Sequence, residues 1–159
     1  MKKGRIFGIF AALAALVSAP AMAQNGQSVA LNGDVMVVKT INEDGAEPRT
    51  ELVEPDLVVP GDRLLFRTNY ENTSAELVEN FVVTNPLSSA VQLAPDTSGD
   101  QVVSVDGGKN FGALSALTVT EESGTVRSAL ASDVTHLRWT LASLEPGESG
   151  QITFYAIVR

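Results

Sequence analysis

The sequence predicts an all-β fold, an antiparallel β-sandwich, and three observations lead there. Short apolar or alternating runs recur about every ten residues, with Gly, Pro, Asn and Asp turns between them. No long stretch beyond residue 23 has helical periodicity. The first 23 residues have the layout of an export signal and fall outside the fold. A closed barrel is the alternative arrangement of the same strands.

The leader comes first. Lys2, Lys3 and Arg5 make a positive start, and Ile6–Val17 is an apolar run of about a dozen residues, short of the roughly twenty that span a bilayer. Ala21 and Ala23 place small side chains where a signal peptidase reads them, so Gln24 is the expected mature N-terminus. An uncleaved anchor is the competing reading. Cysteine is absent from the chain, which excludes a lipid anchor at the cleavage site, a disulfide scaffold, a thiolate metal site and a cysteine nucleophile. Removing residues 1–23 takes three basic residues and no acid, so the formal charge moves from −8 to −11. That balance argues against a nucleic-acid partner. Export with cleavage implies a protein that is periplasmic, cell-surface or secreted and not inserted in a membrane.

Residues 24–33, rich in Gln, Asn, Gly and Ser, read as a flexible N-terminal arm, and the domain is expected over 34–159. Asp34–Ile41, with Val35, Val37 and Val38, reads as the first strand. An acidic, proline-bearing stretch follows, whose Leu52-Val53 and Leu57–Val59 pieces could pair at a sheet edge. Pro60-Gly61-Asp62 is a turn signal. Beyond it Leu64, Phe66, Thr68 and Tyr70 share one face of a half-buried strand, with Arg63, Leu65, Arg67 and Asn69 on the other. Leu77–Thr84 is next, with Phe81 and Val83 inward, closed by Asn85-Pro86; Ala90–Leu93 is a further short strand. Gln101–Val105 and Phe111–Thr120 flank Asp106–Asn110 as a hairpin. Val126–Ala131 is ambiguous between strand and a helical turn. Val134–Leu141 and Gln151–Val158 complete the set, joined through Pro146-Gly147.

Two of these segments, read together, suggest a family. Residues Val59-Pro60-Gly61-Asp62-Arg63-Leu64-Leu65-Phe66-Arg67-Thr68-Asn69-Tyr70-Glu71-Asn72 and Leu137-Arg138-Trp139-Thr140-Leu141-Ala142-Ser143-Leu144-Glu145-Pro146-Gly147-Glu148-Ser149-Gly150 resemble the opening and the close of the bacterial surface repeat called domain of unknown function 11. Phe81–Leu87 resembles its middle strand, with Asn85 where the family often has Asp. The resemblance covers roughly residues 52–159. It implies an Ig-like β-sandwich in an exported or surface protein, a structural or interaction module with no catalytic residues to carry over. Members often stand in tandem, whereas this chain holds a single copy, which weakens a stalk role.

Several residues are candidates for chemistry. Ser104-Val105-Asp106-Gly107-Gly108-Lys109-Asn110-Phe111 approximates the Asp-box turn, in which the carboxylate accepts backbone N–H groups and an aromatic packs beneath; the expected role is structural. Asp96, Ser98 and Asp100 have the oxygen spacing that opens a calcium loop, but Gln101 and Gly107 stand where an EF-hand needs Gly and Glu. Asp96, Asp100 and Asp106 therefore remain weak calcium candidates, and no metal or cofactor is expected. Ten of the nineteen acids lie between Glu43 and Glu79, either a docking face or a charged, solvated sheet edge. His136, the only histidine, has no Gly-x-Ser-x-Gly elbow to serve, and is expected to be a strand residue. Trp139 suits a sugar platform if exposed and a core position if not. Asn72-Thr73-Ser74 matches a glycosylation sequon and reads as a turn.

The expectation from these readings is an exported, non-catalytic module of the bacterial cell envelope, structural or binding, with an envelope protein or glycan as partner. An assembly subunit that adds a strand to a neighbour, through residues 24–33 or the final strand, is the alternative and would form a homo-oligomer. A carbohydrate-active enzyme is the distant third.

Overall fold

The structure, a computed structural model, describes residues 28–42, 45, 47–97 and 101–159. The expected signal peptide, its cleavage residues Ala21, Ala23 and Gln24, and the start of the arm lie outside the described residues. Among those described, the strands in chain order are β1 (Val29–Ile41), β2 (Arg49–Val53), β3 (Arg63–Asn72), β4 (Val78–Pro86), β5 (Val91–Leu93), β6 (Val102–Ser104), β7 (Thr118–Thr120), β8 (Val126–Ser128), β9 (His136–Leu144) and β10 (Ser149–Val158). All named strands pair antiparallel. They form a five-stranded sheet in the order β2-β1-β3-β10-β5, a three-stranded sheet β4-β9-β6, and a β7-β8 ribbon. The connections β3–β4, β4–β5, β5–β6 and β9–β10 each cross between the two main sheets, so the fold is an antiparallel β-sandwich and not a closed barrel.

The five-stranded sheet is built from cross-strand rows. Val37, Leu64, Ala156 and Leu93 make one row and Val35, Phe66 and Phe154 the next; they point inward because side chains two apart share a face. Phe66 stacks on Phe154 at 4.8 Å, and Trp139 of β9 reaches Phe154 from the opposing sheet at 5.9 Å. Trp139 is thus a core-packed residue. The core around it is Leu93, Val103, Val134, Leu137 and Phe154, with Leu137 fully buried.

Three local expectations need correction, and one open reading is resolved. The ladder begins at Val29, so residues 29–33, assigned by composition to the arm, belong to β1 and pair with β3. Val29 and Leu31 continue the inward alternation of Val35 and Val37, and Val29 is buried. Leu57–Val59 joins no sheet edge and stays exposed, because Pro55 offers no N–H to extend β2 and Pro60 turns the chain away. Phe111–Thr120 is not one strand: Gly112 makes a single bridge to Val103, a 3-10 turn follows at Leu114–Ala116, and only Thr118–Thr120 is extended. That turn brings Leu114 and Leu117 onto one side, where both pack against the core. The ambiguous Val126–Ala131 becomes β8 and then the start of a 3-10 turn at Ala131–Asp133, held by Arg127 donating to both oxygens of Asp133 at 2.6 and 2.9 Å.

Asn80 sits at φ 51°, in the left-handed region. Up to Val83 and Phe81, odd positions of β4 face the core opposite Trp139 and Leu141. Past Asn80, Glu79 and Ser143 are exposed while Leu144 is buried at 1% exposure. The kink thus lets Val78 and Leu144 close the end of the sandwich.

Candidate functional site

The Asp106 turn is a complete hydrogen-bonded unit. Ser104, fully buried, donates its hydroxyl to Asp106 Oδ1 at 2.7 Å and accepts from Gly108 N–H at 2.9 Å. Asp106 Oδ1 also accepts from the Lys109 and Asn110 amides, and Oδ2 accepts from the Asn110 side chain at 2.6 Å. The Asn110 and Lys109 amides, the Ser104 hydroxyl and the Asn110 side chain hold this carboxyl well below the usual carboxylate range. Gly107 and Gly108 take positive φ, which the turn requires, and a side chain at Gly108 would press on the His136 ring. His136 is half-buried, edge-on to Phe111, with Nδ1 3.1 Å from Thr135 Oγ1; Arg138 stacks on the other side of Phe111 at 3.5 Å. Ser104, Asp106 and His136 are thus neighbours without a nucleophile–base contact, since the serine proton is committed to the carboxylate.

The calcium candidates have other occupations. Asp96 receives both guanidinium nitrogens of Arg63 at 2.9 and 2.8 Å, which lowers its pKa. Asp106 serves its turn, and Asp100 lies outside the described residues. Among the described residues no three His, Cys, Asp or Glu side chains converge as a metal site. Of the described acids between Glu43 and Glu79, Glu47, Glu51, Glu54, Asp56, Glu71, Glu76 and Glu79 are exposed and Asp62 is half-buried. Glu51 lies on edge strand β2, where charge discourages further strand pairing.

Asn72 is the residue sequence reading underrated. It is fully buried, and its Nδ2 donates to the carbonyls of Glu76 and Leu144, both at 2.8 Å. Its Oδ1 accepts from the amide and the hydroxyl of Ser74. Its backbone N–H donates to Glu148, and its carbonyl accepts from Gly147. One side chain and its peptide groups thereby join β3, the turn after it, the end of β9 and the Pro146-Gly147 turn.

The outer face of the five-stranded sheet changes character along its length. At one end Leu65, expected to face solvent, is 7% exposed, flanked in register by Met36 and Tyr155, with Arg63 stacked over the Tyr155 ring at 4.2 Å. The next row holds Asp34 and Arg67, joined by two hydrogen bonds at 2.7 and 2.8 Å. Beyond lies a hollow of about 510 Å³. One wall is the row Asn32, Asn69 and Gln151 and the other the row Ala30, Glu71 and Ser149, over a floor of Leu31, Tyr70 and Gly150 backbone. Gln151 Nε2 donates to Asn69 Oδ1 at 2.9 Å. Gly150 matters on the far side: the inward Tyr70 ring lies across it, where a Cβ would collide. Apart from Glu71, counted in the acidic 43–79 stretch, and Ala30–Asn32, counted in the possible donor arm, none of these hollow-lining residues is singled out by the sequence as a ligand-binding residue. Their alternation is visible, but only the β1-β3-β10 register sets three amides side by side.

No protein-family model, curated protein or solved structure matches the chain. No helix among the described residues is long and apolar enough to cross a membrane.

Proposed function

We propose that this chain is an exported, non-catalytic β-sandwich that acts by binding, as a module of the bacterial cell envelope. The observation that carries the reading is the hollow over β1, β3 and β10: hydrogen-bonding side chains in fixed register on three laddered strands, which is a preorganised contact surface. The hydroxyl, carboxylate and guanidinium groups nearest one another elsewhere are committed internally, as Ser104–Asp106, Arg63–Asp96 and Arg127–Asp133. The signal-like residues 1–23 and the resemblance of 59–72 and 137–150 to domain of unknown function 11 support an exported, interacting module.

The test is expression of the full chain with a C-terminal tag in a Gram-negative host, fractionation, and intact mass. The reading expects a product starting at Gln24 that leaves the cytoplasm and co-sediments with isolated envelopes. An unprocessed cytoplasmic product, or a processed one indifferent to envelopes, refutes it.

Strand addition is the second reading, favoured by the outer edge of β4, unpaired among the described residues, beside a largely apolar hollow of about 250 Å³ lined by Ser28, Val29, Leu31, Val78 and Phe81. Of the expected donor segments, residues 29–33 pair with β3 and β10 lies between β3 and β5, while residues 24–27 lie outside the described residues. Glu79, the kinked Asn80 and Pro86 also interrupt the β4 edge. Light scattering decides: concentration-dependent oligomers support strand addition, and a monomer at all concentrations rejects it.

A further inference from the structure

We infer that the hollow over β1, β3 and β10 binds a linear, neutral glycan chain of the envelope, an inference that rests on the binding reading above and names its ligand. The chemistry of the walls selects the class. No lysine or arginine lines the hollow, and Glu71 repels an anion. A single carboxylate is too few for a hard cation. Side chains of successive residues alternate between the two faces, so Leu31 and Tyr70 belong to the inner rows, although Leu31 remains 49% exposed, and on the outer face every side chain of the lining except Ala30 is polar.

What remains is a ladder of amides. Each carries donors and acceptors on one planar group, the combination that sugar hydroxyls, themselves both donor and acceptor, can satisfy. The Gln151-to-Asn69 bond fixes both orientations, leaving the Asn69 NH2 and the Gln151 carbonyl available at set positions. Asn32, across from Asn69, makes no side-chain hydrogen bond among the described residues. Ala30 and Ser149 are small, which keeps the opposite wall low, and Glu71 stands in it as an acceptor for hydroxyl pairs.

The shape selects a chain over a single sugar. β2 covers β1 only at Val37–Ile41 and β5 covers β10 only at Ala156–Val158, so among the described residues strands close neither end of the hollow. Three strands about 4.8 Å apart make a trough roughly 10–14 Å long, open at both sides, along which a linear polymer passes.

The experiment uses mature protein from Gln24 and calorimetry with chitohexaose, maltohexaose and cellohexaose, each also as its disaccharide, alongside co-sedimentation with isolated envelopes. The expected result is affinity for at least one hexasaccharide, at least tenfold weaker for its disaccharide. Asn69→Ala and Gln151→Ala each weaken it at least tenfold at unchanged thermal midpoint, and Thr140→Ala, on the other sheet, changes nothing. Envelope binding should persist after protease treatment and fall after glycan cleavage, by periodate where the chain carries vicinal diols and by a glycosidase where 4-linked 2-acetamido sugars carry none. Envelope binding that survives both glycan treatments but not protease overturns the glycan inference and leaves the binding reading standing. Sugar binding indifferent to Asn69→Ala and Gln151→Ala overturns the site. Binding to neither envelope nor sugar overturns both.

Discussion

Removing the Asn72 side chain should cost this domain a large part of its stability. In Asn72→Ala the carbonyl of Glu76 keeps a bond from the Ser74 hydroxyl, and that hydroxyl keeps this acceptor. The carbonyl of Leu144 and the amide of Ser74 lose the side-chain partners they have now. Leaving a buried polar group without a partner costs about 1–3 kcal/mol, so two such groups give roughly 2–6 kcal/mol. Native domains have only about 5–15 kcal/mol in total. At roughly 3–4 °C per kcal/mol for a domain of this size, the melting midpoint should fall by about 10 °C. Asn72→Asp sharpens the test. It keeps the shape but aims a carboxylate oxygen at two carbonyls, so it should be worse than Ala at pH 7. Burial and those carbonyls would raise the new carboxyl's pKa in the folded state above its unfolded value. Its protonated form therefore favours folding, and the variant should gain stability relative to wild type as pH falls from 7 toward 4. The assay is urea unfolding by fluorescence across that range, with exposed Asn69→Ala as a control expected within about 0.5 kcal/mol of wild type. An Asn72→Ala cost under about 1 kcal/mol, or an Asn72→Asp penalty independent of pH, would refute this account of the residue.

Three further outcomes follow from the packing and charges. Phe154→Ala removes the ring between Phe66 and Trp139 and should cost about 3–5 kcal/mol, read from the urea midpoint. Gly150→Ala places a methyl on the Tyr70 ring and should cost about 1–3 kcal/mol; adding Tyr70→Ala should remove most of the Gly150→Ala increment in a double-mutant cycle. Asp34, Asp96, Asp106 and Asp133 all have lowered pKa values from arginine or hydrogen-bond partners. Their stabilisation is present above the ordinary Asp value of about 3.9 and is lost as pH falls through the folded values. The thermal midpoint should decline below about pH 4, and Asp106→Asn should narrow that decline.

The legible part of the fold was local. Leu64, Phe66, Thr68 and Tyr70 alternate as the period of a strand demands, and they face inward as read. The turn at Pro60-Gly61-Asp62 is also as read: Gly61 takes φ 94° and Asp62 Oδ2 accepts from the Val59 amide at 2.9 Å. Ser104–Asn110 forms the expected turn because the bonds of the Ser104 hydroxyl and the Asp106 carboxylate lie within a few residues, with Thr135, just ahead of β9, adding bonds to Ser104 and Gly107. Two of the misreadings share one cause. Residues 29–33 looked polar and loose because the β3 ladder that orders them is about forty residues away in sequence. Leu65 looked solvent-facing because Met36 and Tyr155, its neighbours across the sheet, come from opposite ends of the domain.

The sequence by itself determined the all-β class, the inward rows and the sharp turns, since alternation, β-branching and glycine or proline geometry act within a few residues. Only the tertiary structure decided that Asn72 is a buried junction and that Asn32, Asn69 and Gln151 stand side by side. Antiparallel register is set by packing between distant strands, and one residue of slip would send each side chain to the opposite face.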